Sequence, residues 1–167
     1  QEHRLHQYKL NAARAFARKN RIDRIIIESK TPKLGVITTG KSYLDVRQAL
    51  EDLGIDEAKA DELGLRLYKV GMPWPLEPAG IKEFSEGLKE ILVVEEKRPI
   101  IESQLKEHLY NLPSNERPTV VGKFDEKNRV LQPAAGELSP SQIARVIASR
   151  LLKLSEDKAI QEKLKFM

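Results

Sequence analysis

The sequence predicts an α/β fold, a sandwich in which helices cover a largely parallel sheet. Three observations lead there. Short apolar, β-branched runs recur along the chain, each followed by a turn and then an amphipathic helical stretch. The run Ile91–Val94 is continuously apolar, the pattern of a strand buried on both faces. Helix start and stop signals fall between these runs, so strand and helix alternate through most of the chain.

The first residues, His3 to Lys19, read as a helix with Leu5, Tyr8, Ala12, Ala15 and Phe16 on one stripe. Arg4, Lys9, Arg14 and Arg18 fall largely off that stripe. Arg24–Glu28 is a short strand or an extended lead-in, ended by Thr31-Pro32. This opening segment, residues 1–33, is expected to be a helix and connector.

The stretch that organises the rest is Leu34–Gly54, LGVITTGKSYLDVRQALEDLG. Leu34–Thr38 is β-branched and apolar, and Gly40 supplies the backbone freedom that a sharp strand-to-helix turn needs. Ser42 is expected to cap the following helix, with Asp45 in the capping-box position. Leu44, Ala49, Leu50 and Leu53 are expected on its buried face, and Gly54 stops it. The turn aims free amides at one spot, an arrangement that can hold an anion.

A short helix follows between Asp56, its cap, and Gly64, its stop. Leu65–Val70 is a second strand. Met72–Pro78 carries three prolines and must be an extended loop, with Pro78 at the first turn of a helix through Ile81, Phe84 and Leu88. After Ile91–Val94 come Glu95-Glu-Lys-Arg98, Pro99 and a helix through Ile100, Ile101, Leu105 and Leu109. Thr119–Val121 is a further strand, and residues 124–132 read as a loop or small hairpin. Ser139, Pro140 and Gln142 form a capping box that opens a helix whose apolar face carries Ile143, Val146, Ile147 and Leu151. Residues 34–154 are thus expected to be the α/β domain, and residues 155–167 a polar tail or connector.

The chain has 167 residues, 40% hydrophobic and 32% charged, a globular composition with room for one ordinary core. Gln1 in place of Met points to a fragment or a processed product. No apolar run approaches the roughly 20 residues of a membrane span. The sequence contains no cysteine, which excludes disulfides, thiolate metal sites and cysteine nucleophiles, and fits the cytoplasm. The net charge is only +4, but basic residues outnumber acidic ones by about three to one before Leu34. Without interleaved aromatics or a nucleic-acid motif, that segment reads as a solvated helix face, and no nucleic-acid partner is expected.

In parallel sheets ligands sit beyond the C-terminal strand ends. The candidates there are Thr39, Gly40, Lys41 and Ser42 after the first parallel strand, and Glu95, Glu96 and Lys97 after the apolar one. They are read as an anion or interface site. Gly35 to Ser42 spells GxxxxGKS, the phosphate-loop pattern, yet Val36–Thr38 would be the loop and read as strand, so a nucleotide hydrolase is set aside. Gly71 to Trp74 and Gly122-Lys123 occupy the other strand ends, with Trp74 read as a packing or interface anchor. His3, His6 and His108 lack a metal-like grouping, and no GxSxG elbow occurs. Spacing identifies no catalytic, cofactor-binding or metal-ligating residue.

The runs GVITTGKSYLDVRQALEDLGI, LRLYKVGMPWPLEP, EGLKEILVVEEKRPIIESQLKEHLY, RPTVVGKFD and LQPAAGELSPSQIARVIASRL, in that order, closely resemble the middle of indolepyruvate ferredoxin oxidoreductase and its relatives. These are the thiamine-diphosphate-dependent 2-oxoacid:ferredoxin oxidoreductases. The resemblance extends from about Leu5 to Leu152. It implies a transketolase C-terminal-like domain, a three-layer α/β/α sandwich with one antiparallel edge strand. The parent enzyme would decarboxylate an aryl pyruvate on thiamine diphosphate and magnesium, pass electrons through iron–sulfur clusters to ferredoxin, and release an acyl-coenzyme A. The family's Gly-Asp-Gly diphosphate signature and its cluster cysteines do not occur here, so no cofactor is expected in this chain. The resemblance implies a non-catalytic piece that packs on the thiamine-binding domains or subunits. Two other readings remain: a module that binds phosphate or coenzyme A at Thr39–Ser42, and an oligomerisation module using the basic N-terminal helix.

Overall fold

The computed structural model describes residues 1–166. Its centre is a five-stranded sheet of β1 (Arg24–Ile27), β2 (Leu34–Thr39), β3 (Leu65–Val70), β4 (Glu90–Val94) and β5 (Thr119–Val121). The spatial order is β1-β3-β2-β4-β5, with β3, β2, β4 and β5 parallel and β1 antiparallel to β3 at the edge. β2 lies in the middle, bonded along its length to β3 on one side and to β4 on the other. It is therefore apolar on both faces.

Alternation along the strands divides the core in two. Leu34, Val36, Leu65, Leu67, Leu92 and Val94 face one layer of helices. These helices are α3 (Gly40–Asp52), α4 (Glu57–Leu63), α7 (Pro140–Leu154) and α8 (Lys158–Phe166). Ile37, Tyr68, Val70, Ile91 and Val93 face the other layer, α5 (Pro78–Ser85) and α6 (Ile100–Leu109). Gly35 is the exception that makes room, because a Cβ there would lie 2.5 Å from Leu88 and 2.7 Å from Phe84. The result is the expected three-layer α/β/α sandwich with one antiparallel edge strand.

The local signals act as expected at several ends. The Asp56 carboxylate accepts from the Lys59 amide, Gly64 closes α4 in the left-handed region, and Pro78 opens α5. Ser139 and Gln142 form the reciprocal capping box of α7. Elsewhere the fold departs from expectation. Ser42 does not cap α3: the helix begins at Gly40, and Ser42 lies buried in its first turn. Strand pairing carries β2 through Thr39, so the turn has no residue left over and the cap position falls at Thr39, three positions before Ser42. Leu44 faces solvent at 66% exposure, and Val46 takes the buried place expected for it.

Of the two readings of Arg24–Glu28, a short strand or an extended lead-in, the strand holds: Arg24–Ile27 is hydrogen-bonded into the sheet as its edge strand. The polar tail also folds back. Ile160 in α8 is buried against α7, and Lys59 reaches Asp157 at 2.7 Å. Ahead of β1, α1 (Glu2–Arg4), a π-helical turn Leu5–Lys9 and α2 (Leu10–Lys19) form one continuous helical arm. Within it only Ala17 is buried.

One polar contact crosses the core. Arg150 of α7 donates from Nε and Nη2 to the Glu90 carboxylate at the start of β4, and both residues are buried. Glu126 accepts from the same guanidinium at 2.8 Å and from Lys153 at 2.5 Å.

Candidate functional site

The sheet order places the reversal of chain direction between β2 and β4, because successive connections leave β2 toward β3 and then return past it to β4. In open α/β sheets the crevice beyond the C-terminal ends of two such strands is the usual ligand position. Thr39–Ser42 follow β2 and Glu95–Lys97 follow β4, so both sequence-predicted groups lie on this rim.

On the β2 side, Thr39 turns its hydroxyl sideways, and Oγ1 donates to the Val70 carbonyl at 2.8 Å. It thus ties the ends of β2 and β3 and leaves α3 without a side-chain cap. Gly40 has φ +55, which a residue with a Cβ rarely adopts, although the space around it is open. Lys41 projects over the rim, and its Nζ lies 2.8 Å from Asp45 and 3.9 Å from Glu96. The hydrogen bond to Asp45 raises its pKa, and Glu137 adds a further negative charge nearby. One ammonium thus stands among three carboxylates, a field that repels an added anion. Ser42 is 1% exposed, and its hydroxyl has no partner among the described residues.

On the β4 side, Glu95 is buried and its carboxylate faces the first turn of α6. It accepts from the amides of Ile100, Ile101 and Glu102 at 3.0, 2.9 and 3.0 Å. Burial pushes its pKa up, and the three amides oppose that rise. A carboxylate on the positive end of a helix is a strong cap. Glu96 accepts from the Leu138 amide at 3.2 Å, which fixes the loop before α7. Lys97 is exposed with φ +54. The structure therefore joins Lys41 to Glu96, and it turns Glu95 away from them into α6.

The third strand end holds the group whose partner spacing does not predict. Lys123, after β5, is 3% exposed, and its Nζ donates to the carbonyls of Glu95 at 2.5 Å and Pro133 at 3.3 Å. Burial pushes its pKa down, while Glu95, Glu96 and Glu102 counteract. The Lys123 amide donates to Glu102, and Gln132 donates from Nε2 to the carbonyls of Val93 and Gly122. Gln132 carries no sequence signal beyond its place in a loop. Trp74 stands at the end of β3 with 60% of its surface exposed, beside α6, where Gln104 holds the Pro73 carbonyl.

These side chains are arranged to hold strand ends together. Glu95 and Glu96 accept from backbone amides, and among the described residues no three His, Asp or Glu side chains converge as metal ligands. Magnesium diphosphate and iron–sulfur ligation therefore do not fit this rim. Among the described residues, no helix is long and apolar enough to cross a membrane.

Indolepyruvate oxidoreductase subunit IorA of Thermococcus kodakarensis is 35% identical over 79 residues, which is 47% of this chain and 11% of that protein. IorA of Pyrococcus horikoshii is 39% identical over 74 residues, 44% of this chain and 10% of that protein. IorA of Methanothermobacter thermautotrophicus is 35% identical over 98 residues, 58% of this chain and 14% of that protein. The matched stretches thus span only 10% to 14% of these three relatives. A solved 2-oxoglutarate:ferredoxin oxidoreductase from Magnetococcus marinus shares the fold, with a TM-score of 0.52 at 18% identity over 86% of this chain and 23% of that one. The model of the indolepyruvate ferredoxin oxidoreductase middle domain matches residues 23–167, and the chain belongs to that family.

Proposed function

We propose that this chain is a non-catalytic structural and interface domain of an indolepyruvate (2-oxoacid):ferredoxin oxidoreductase. In the parent enzyme, thiamine diphosphate with magnesium, iron–sulfur clusters, ferredoxin and coenzyme A serve the oxidative decarboxylation of an aryl pyruvate. The domain works beside that chemistry. Residues 34–154, completed by β1, are its body, and α8 with the residues just before it straps α7 and α4.

The observation that carries this reading is the use made of the rim carboxylates. Glu95 spends its charge on three amides of α6, and Glu96 spends its own on Leu138 and Lys41. A group held this way stiffens a surface. What the rim does present outward is Lys41, Lys97 and Trp74, the makings of a contact with the thiamine-binding domains or subunits. Family membership and the small share of the relatives' length support the same reading. The phosphate or coenzyme A reading gains little from a rim where three carboxylates surround Lys41.

The test is direct. The purified chain is expected to bind no thiamine diphosphate by calorimetry and to reduce no viologen dye with aryl pyruvate and coenzyme A. Turnover by this chain alone sinks the proposal. In the parent enzyme, Lys41→Ala combined with Trp74→Ala is expected to weaken assembly, seen by sedimentation, more than turnover per assembled enzyme.

A further inference from the structure

Two surfaces of this molecule are unpartnered, and each complements the other. The first is the helical arm Glu2–Lys19. Its inner side turns Ala13 and Ala17 toward the body, while Tyr8 and Phe16 stand outward at 64% and 61% exposure, with Leu5 at 36%. A helix of this length with so little burial is marginal by itself in water. The arm is also basic, carrying Arg4, Lys9, Arg14, Arg18 and Lys19 against Glu2 alone. The family match covers residues 23–167, and the arm precedes it.

The second surface is a trough of about 790 Å³ between the edge strand β1 and helices α3 and α4. Ile27, Leu50 and Ile55 form its apolar floor, exposed Leu44 stands on its wall, and Glu51, Asp56 and Glu57 line it against one cation, Arg47. It continues past Ile27 and Glu57 into a hollow of about 640 Å³ that adds Glu28 and Asp61 against the cation Lys30. An apolar floor with an acidic rim is the receptor that a basic amphipathic helix requires.

We propose that the arm of one copy lies in the trough of a second copy, and that two copies exchange arms to form a closed dimer. Charge complementarity names the pairing, and the anchoring of the arm makes it intermolecular. Arg18 reaches Glu77 at 3.3 Å and Glu83 at 3.7 Å, which pins the arm to α5. That helix covers one face of the sheet, whereas α3 and α4 cover the other. The arm therefore leaves the body on the far side from its own trough. Exchange also covers the edge strand β1, whose free side is otherwise a hazard for unspecific pairing. The contact is isologous, since each copy supplies one arm and one trough.

Because the chain has no native cysteine, the pairing is testable with single engineered thiols. Tyr8→Cys and Leu44→Cys chains, differently tagged and mixed, are expected to form a disulfide between the two variants in preference to either with itself. Sedimentation of the 167-residue chain is expected to show a dimer that weakens with added salt. Glu51→Lys with Glu57→Lys, or Arg4→Glu with Lys9→Glu, is expected to weaken self-association by roughly tenfold or more. An equimolar mixture of these two double variants restores a dimer, since each arm then meets a trough of opposite sign. A wild-type chain that stays monomeric at the highest concentration reached overturns the proposal. So does a failure of the two double variants to pair. Neither result bears on the catalytic inertness proposed above, which is read from thiamine diphosphate binding and turnover.

Discussion

The Arg150 guanidinium holds the Glu90 carboxylate in a two-pronged grip, joining α7 to the first residue of β4 across 60 positions of sequence. Glu90 is 2% exposed and Arg150 6%, so neither charge has water to fall back on. Glu126 and Lys153 complete a four-charge cluster at the edge of this contact.

Removing Arg150 leaves the buried Glu90 carboxylate with Lys153 alone, at 3.6 Å. Arg150→Met is expected to destabilise the fold by about 3–5 kcal/mol, measured by chemical denaturation. Arg150→Met combined with Glu90→Leu removes both charges and is expected to recover much of that loss. A single variant that unfolds at the wild-type midpoint contradicts the structural role given to the pair.

The outer member of the cluster predicts a pH dependence. The hydrogen bond from Lys153 first, then Glu126's own amide and Arg150, hold the Glu126 carboxyl down at about 2, against an ordinary value of 4.5. A depressed carboxyl contributes stability that is present above its unfolded value and is lost as pH falls through the folded one. The difference in melting temperature between wild type and Glu126→Gln is therefore expected to be constant above pH 5 and to shrink between about pH 4.5 and pH 2. A difference that grows on acidification would contradict the sign.

Gly35 tests why GxxxxGKS occurs in letters. Its place is set by Phe84 and Leu88, whose side chains fill the space a Cβ would need. Gly35→Ala is expected to cost about 1–3 kcal/mol by overpacking, read from the denaturation midpoint. Addition of nucleotide is expected to leave both proteins' melting temperatures unchanged.

Glu95 is expected to matter through α6. Glu95→Ala leaves three amides of the first turn without their acceptor, at a cost of about 2 kcal/mol. Hydrogen exchange is the sharper measurement. The amides of Ile100, Ile101 and Glu102 are expected to lose protection, while those of α7 keep theirs.

Much of this protein was determined by neighbours in sequence. The apolar runs of β2, β3 and β4, the Asp56 cap, the Gly64 stop, the Pro78 start and the Ser139–Gln142 box depend on residues within a few positions of one another. Such interactions form from the chain's own periodicity and caps, so a linear reading finds them. The rim was legible in the same way: strand ends are where charged and glycine-rich turns must fall, and Thr39–Ser42 and Glu95–Lys97 are there.

Only the tertiary structure decided which of those groups meet. Glu95 turns to α6 and Lys41 to Asp45 and Glu96, while Lys123 reaches back 28 positions to the end of β4. Ser42 became a buried hydroxyl, and Leu44 an exposed wall, because pairing with β3 prolonged β2 and set the start of α3. Arg24–Ile27 entered the sheet because β3 offered a free edge. Each of these outcomes depends on the order in which strands assemble and on the burial that results. Those are properties of contacts between distant segments, and no local pattern carries them.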